Sequence, residues 1–349
     1  MTALTGPARP AEHASPRPVP WRRMAWVTWR QHRLALAGAA VLLGGLAIYL
    51  WRIGLSVHHA YAAAVGCHPA SSAACGILVG NFIGYISPAQ YIAGLLQLVP
   101  ALVGAFVGAP VLAREMETGT FRYAWTLGFG RWRWALAKLV LLAVAVTAAA
   151  GAFSLLFAWY CQPFFDQTLS GSGSALIPLS SLVFDLHGVA FAAWTLAAFA
   201  IGALAGMLIR RVVPALAATL AVYAGLAFAT GAYLRQHYIT PLMTKNANLP
   251  GTDWIISQRW YKGGQPVNGT ALAQALQNGA PQLAGGGKGG IPESPLVNQW
   301  LFQHGYVMWT RYQPASRFWP FQWIEGGWLL ALSVLLIAAT VWLVRRRAA

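Results

Sequence analysis

Glu115 and Glu117, separated by one residue, stand between Arg114 and the pair Gly119-Thr120. They are two of only eight carboxylates in a chain of 349 residues with a net charge of +16. Two acids beside a base on a short polar segment between long apolar stretches offer ion-pairing groups to a soluble partner. They do not make a hydrolase. The chain has no Gly-x-Ser-x-Gly elbow and no His-Glu-x-x-His, and its carboxylates are scattered. A second group that could do chemistry is Cys67 and Cys75, with His58, His59 and His68 nearby. Their spacing fits no standard zinc pattern, and outside a membrane an oxidised Cys67–Cys75 pair is the simpler outcome. Gly285-Gly286-Gly287-Lys288-Gly289-Gly290 is not a phosphate loop, because Gln282 stands where the first Gly is required and Gly289 follows the Lys.

These groups are set in a chain that is 57% apolar and 9% charged, with a mean hydropathy of +0.52. Such values exclude an ordinary soluble domain and indicate an integral membrane protein. A helical span needs about 20 mostly apolar residues. Six runs qualify, approximately residues 34–51, 92–113, 136–160, 188–209, 212–234 and 326–344, none with a mid-span charge. Continuous apolar runs of this length exclude a transmembrane β-barrel. The expected fold is therefore an all-α integral membrane protein of six transmembrane helices. Proton coupling loses weight, because it calls for ionisable groups inside the spans.

Basic residues set the orientation. With the N-terminus inside, sixteen of the twenty-four Lys and Arg flank cytoplasmic ends, and seven of the others fall in the long segment before span six, which counts for little. Both termini are expected in the cytoplasm. The basic groups flank spans a few at a time and form no tract, so nucleic acid is not an expected partner.

The chain divides accordingly. Residues 1–20, rich in Pro, Ala and Arg, read as a disordered tail. Residues 21–33 read either as an amphipathic interfacial helix, with Trp21, Met24, Trp29 and His32 among arginines, or as the positive flank of span one. Spans one to five occupy 34–234, and residues 326–349 make span six and a basic tail. Ala64-Val65-Gly66-Cys67 loosely resembles a lipoprotein cleavage box, but the Cys lies too far beyond the apolar run, so span one is read as retained.

Between spans one and two an external loop is expected over about 55–90. The external segment 235–325 holds one candidate helix, 270–277, the Gly-rich linker, and an Asn268-Gly269-Thr270 acceptor pattern. Trp309, Tyr312, Phe318, Trp319, Phe321 and Trp323 close it as an interfacial aromatic belt. Candidate pathway groups within or beside the spans are Gln97, Thr195 and Tyr223, for which a satisfied interhelical hydrogen bond is the simpler role. Gly104-x-x-x-Gly108 and Gly202-x-x-x-Gly206 permit close helix approach.

The Glu115 segment then has an address, on the cytoplasmic side between spans two and three. Here the chain resembles permease subunits of ABC-2 type transporters, whose second-to-third loop carries Glu-x-Glu-x-Gly-Thr on a coupling helix. Glu115-x-Glu117-x-Gly119-Thr120 matches it position by position. The segments 26–33 and 313–319 and the Arg-rich end look like the actinobacterial branch. The 235–325 segment is longer than the reentrant region typical of the family. The resemblance implies that Arg114, Glu115, Glu117, Gly119 and Thr120 couple to a separate cytoplasmic ATP-binding subunit present in two copies. It also implies a second permease, identical or a sibling, in the lipid of a bacterial plasma membrane. The chain itself would bind no cofactor, with ATP and Mg on the partner, and the expected task is export of a hydrophobic, lipid-like or peptide-like compound. The competing reading is a membrane sensor or immunity protein displaying residues 235–325; an intramembrane enzyme ranks third for want of catalytic groups.

Overall fold

A computed structural model describes residues 21–69, 71–119, 131–166, 176–246, 249–284 and 294–347. The tail 1–20, Thr120 and the Gly-rich stretch 285–290 lie outside the described residues. The chain is mostly helical. Among the described residues, five helical runs are long and apolar enough to cross a membrane: Ala73–Thr118, Arg133–Phe165, Gly188–Ile209, Val212–His237 and Ala315–Arg346.

Helix α1 (Trp21–Val65) is one unbroken helix of 45 residues, about 68 Å long at 1.5 Å per residue. It absorbs the interfacial segment, the expected first span and the start of the expected loop. Arg52 ends the apolar run without ending the helix, because a charge does not break backbone hydrogen bonding. Much of the rest of the expected loop is helical too, in α2 (Ala73–Ile83) and α3 (Ile86–Leu96). Its residues are rich in Ala, Ile and Leu, good helix formers except for the β-branched Ile. Ser72 starts α2 by accepting a bond from the Cys75 amide at 3.2 Å. Cys67 and Cys75 are disulfide-bonded, with Cα atoms 5.6 Å apart.

The second span continues through α4 (Leu98–Val103), a π turn at Gly104–Gly108 and α5 (Ala109–Thr118). Pro110 lacks an N–H and cannot make the regular bond to the preceding turn, and beside it the Ala109 amide bonds back to the Gly104 carbonyl in the wider π pattern. Helix α6 (Arg131–Phe165) and the buried α7 (Gly188–Ile209) form the centre. The two glycine stripes face each other: a Cβ on Gly104 would lie 2.5 Å from the Ala198 carbonyl oxygen, and one on Gly108 would lie 2.6 Å from that of Phe199. Gly202 and Gly206 are equally tight against the backbone at Gly104 and Ala109. The backbones of spans two and four thus touch directly. Helix α8 (Val212–Ala229) buries only Ala215, Thr219 and Tyr223 and leaves most of its surface open.

Residues 242–313 depart from the all-α expectation. They hold a four-stranded antiparallel sheet, β1 (Leu242–Lys245), β2 (Trp254–Lys262), β3 (Gln265–Val267) and β4 (Tyr306–Gln313), in the order β1-β4-β2-β3. The register pairs Leu242 with Tyr312 and Lys245 with Trp309. Two helices, α9 (Gly269–Gly279) and α10 (Pro295–Gln303), pack on it through Leu272, Leu276, Val297, Leu301 and Tyr306. Asn268 caps α9, its side-chain oxygen accepting from the Ala271 amide at 2.9 Å. The aromatic run before the last span is split: Trp309 and Tyr312 lie in β4, Phe321 is fully buried, and Trp319 and Trp323 are exposed. The last helix, α11 (Phe318–Arg347), starts eight residues before the apolar run at 326. Gln313 and Arg317 at its approach donate to the carbonyls of Ile239 (2.6 Å) and Thr240 (2.8 Å).

Candidate functional site

At one end of the bundle α5 stops at Thr118, where Gly119 adopts φ 70°, a left-handed conformation that favours glycine. Glu115 faces inward. Its Oε1 accepts from Lys138 Nζ of α6 at 2.6 Å, with the Lys138 side chain only 2% exposed. The ammonium also lies 5.3 Å from the Trp134 ring. The other oxygen, Oε2, is buried with no hydrogen-bond partner. Glu117 is on the exposed side, and its Oε2 accepts from the Val212 amide at 3.1 Å. Val212 is the first residue of α8, so Glu117 satisfies one of the orphan amides there and lies at the positive end of the helix dipole. The end of span two is thereby fastened to spans three and five through two carboxylates.

At the opposite end lies a cluster that sequence reasoning overlooked. Arg235 follows a π turn (Thr230–Leu234) at the end of span five, and Glu325 lies on α11. Their side chains are 1% and 0% exposed. Arg235 Nε donates to Glu325 Oε2 at 3.1 Å and Nη2 to Oε1 at 2.8 Å, the forked pairing that suits a guanidinium. Asp185, in a short 3₁₀ turn before α7, also accepts from Arg235 Nη2. Trp194 Nε1 donates to Glu325 Oε1 at 2.8 Å, and the Phe184 ring lies 4.4 Å beneath the guanidinium. Burial pushes the Asp185 carboxyl well above the usual carboxylate range against the pull of Arg235, and Glu325 adds to the rise. Gln322 supports the group, accepting from the Ala190 amide at 2.8 Å and donating to the Phe184 carbonyl at 3.1 Å. Beside it His187 is enclosed by Phe157, Phe165 and Phe318, and burial pulls its pKa down to about 4.

The sequence held one signal for this cluster. Arg235 and Glu325 stand one residue outside the fifth and sixth apolar runs, where a helix carries its last side chains into the bundle. The arrangement pairs charges and presents no nucleophile. Among the described residues no group of three or more His, Cys, Asp or Glu could hold a metal.

The three pathway candidates are not gathered in one place. Gln97 donates to the carbonyls of Ser181 (3.1 Å) and Leu182 (3.0 Å). Thr195 bonds back to the Phe191 carbonyl at 2.8 Å, and Tyr223 packs edge-on against Trp194. Two of the three make the plain contacts of helix packing, and Thr195 also lines a cavity. His58 stacks on Trp159 and bonds its carbonyl at 3.0 Å, which turns it toward α6.

A family model described as ABC-2 membrane transporter related matches residues 37–235, more than half of the chain. No curated protein matches the chain, and no solved structure does. The matched residues run from α1 to Arg235 and include the glycine stripes and the Glu115 helix end, in a chain with several membrane-length helices. The chain therefore belongs to the ABC-2 membrane transporter related family, as a multi-pass permease component of an ABC transporter that is not itself catalytic.

Proposed function

We propose that the chain is the membrane-spanning half of an exporter, moved by a separate cytoplasmic ATPase that bears on residues 114–120. Family membership implies an ABC ATPase partner. The observation that carries the reading further is the double attachment of the α5 end, by Glu115 to Lys138 on α6 and by Glu117 to the start of α8. A displacement applied at this end reaches three spans at once, a rigid-body route from an ATP-driven closure to the substrate path. Glu115 acts as a positioning residue in this scheme, because Lys138 already occupies its carboxylate. Glu117, Gly119 and Thr120 are nearer the partner.

The working unit is two permeases, identical or sibling, with two ATPases that hold ATP and Mg. The chain spans a bacterial plasma membrane six times, counting residues 34–51 of α1, with both termini in the cytoplasm. Its cargo is a hydrophobic, lipid-like or peptide-like compound. The test is Glu117→Ala, alone and with Glu115→Ala, in the reconstituted complex. Transport and transport-stimulated ATP hydrolysis should fall at least tenfold while membrane insertion is unchanged. Undiminished transport overturns the proposal. Purification from mild detergent without any P-loop subunit would instead favour a displayed sensor.

A further inference from the structure

A cavity of about 530 Å³ opens between α1, the π turn of span two, α6 and α7. Among the described residues its lining is apolar except for Thr195, whose hydroxyl is already bonded to the Phe191 carbonyl, and Arg33. His58 and Tyr61 of α1 meet Trp159 and Asp166 of α6, so the two helices run parallel and Arg33 lies toward the Lys138 end. The α1 wall runs from Arg33 to Leu43, about 15 Å at 1.5 Å per residue and close to half of a hydrocarbon core of about 30 Å. Phe153 and Phe191, with ring centroids 5.7 Å apart, close the far end. Small side chains on facing helices, Ala37 and Ala40 against Ala145 and Ala149, keep the slot open.

An apolar channel one leaflet deep, with Arg33 as the cation that the described residues place at its mouth, is complementary to one kind of molecule. We propose that it receives the hydrocarbon chain of an anionic single-chain lipid from the adjoining inner leaflet, with the acidic head on Arg33. The chain fills the space between the alanines, and the guanidinium pairs with the carboxylate or phosphate where the bilayer core ends. The volume falls within the range of small-molecule sites, about 300–1,000 Å³. This names a cargo class for the exporter and rests on that reading for its direction, though not for the binding itself.

Full-length protein in phosphatidylcholine nanodiscs is photolabelled with a diazirine-bearing palmitic acid, without nucleotide or ATPase, at a pH where the acid is ionised. Labelled peptides are then mapped. Label should concentrate on residues 145–153 and 191–195, and oleic acid should compete at least tenfold better than oleyl alcohol. Ala40→Phe, at an exposed position that tolerates bulk, should cut that label at least fivefold, and Ala149→Leu should do the same from the opposite wall. Arg33→Gln should make acid and alcohol compete equally. Label spread over the open face of α8, label unchanged in both filling variants, or equal competition in the wild type each overturns the proposal. Glu117→Ala should label like the wild type. Site-mapped label with transport that ignores the ATPase would overturn the coupling scheme and leave the slot standing.

Discussion

Arg235 and Glu325, ninety residues apart in sequence, are joined by two hydrogen bonds of 3.1 and 2.8 Å with neither side chain open to solvent. The pair welds the turn that follows α8 to the start of α11. Removing Arg235 leaves the buried acids Glu325 and Asp185 without their cation, which costs about 3–5 kcal/mol, whereas removing Glu325 leaves Arg235 with Asp185 and costs less. Arg235→Ala should lower the thermal midpoint in detergent sharply, and Glu325→Ala should lower it less. The triple variant Arg235→Met, Glu325→Leu and Asp185→Asn, which removes all three charges, should recover most of the loss. Additive losses in that variant would mean that the three residues act separately.

His187 gives stability a pH dependence of known sign. Its folded pKa is lowered to about 4 from 6.5, so the folded state holds it neutral and resists its protonation. Stability is full above about 6.5, declines as the pH falls, and has lost about 3 kcal/mol by pH 4. Asp185, whose folded pKa is raised, works in the opposite sense, because protonation suits its buried site. The comparison of wild type with His187→Phe isolates the histidine. The wild type should lose about 3 kcal/mol relative to the variant between pH 7 and pH 4, read by thermal unfolding. Parallel curves would place His187 in a wetter site than the rings around it imply.

The glycine stripes predict a contrast within one residue type. Gly202→Ala sets a methyl group against the Gly104 backbone and should cost about 1–3 kcal/mol, because two backbones must separate. Gly225→Ala, with nothing within 4 Å, should be neutral or stabilising by up to about 1 kcal/mol. Unfolding of both variants in the same detergent is the check; similar midpoints would refute direct contact of spans two and four.

Cysteine labelling offers a chemical check. Cys67 and Cys75 are bonded to each other and Cys161 is buried and free. Maleimide should attach to no cysteine in the folded protein, to one after denaturation, and to three after denaturation with reductant. Two or more labels on the unreduced, denatured chain would show that Cys67 and Cys75 are open.

The sequence showed most of the spans because length and hydropathy are properties of a local run. It also showed the two glycine stripes, which are local features too. It misplaced what depends on other parts of the chain. Arg52 closed an apolar run and so the expected span, yet α1 goes on to Val65, because helix formation tolerates an exposed charge. In the sequence Asp185 and Glu325 are only two of the scattered carboxylates, because folding alone brings them to Arg235. The sheet was hidden for a similar reason. Trp254–Lys262 and Tyr306–Gln313 are rich in aromatic and β-branched residues, and Trp309 and Tyr312 of the second read as interfacial anchors from the sequence, since pairing with β2 is a long-range event.

The strand β1 follows span five after a few residues, and β4 leads almost directly into the last helix. Their ladder, from Leu242–Tyr312 to Lys245–Trp309, ties these two spans at the end away from Glu115 like the rivet of a pair of tongs. Helices α8 and α11 cannot part there without tearing backbone hydrogen bonds. Relative motion of the two must pivot about that rivet, so its greatest travel falls at the far tips, where the Glu117 bond to α8 is made.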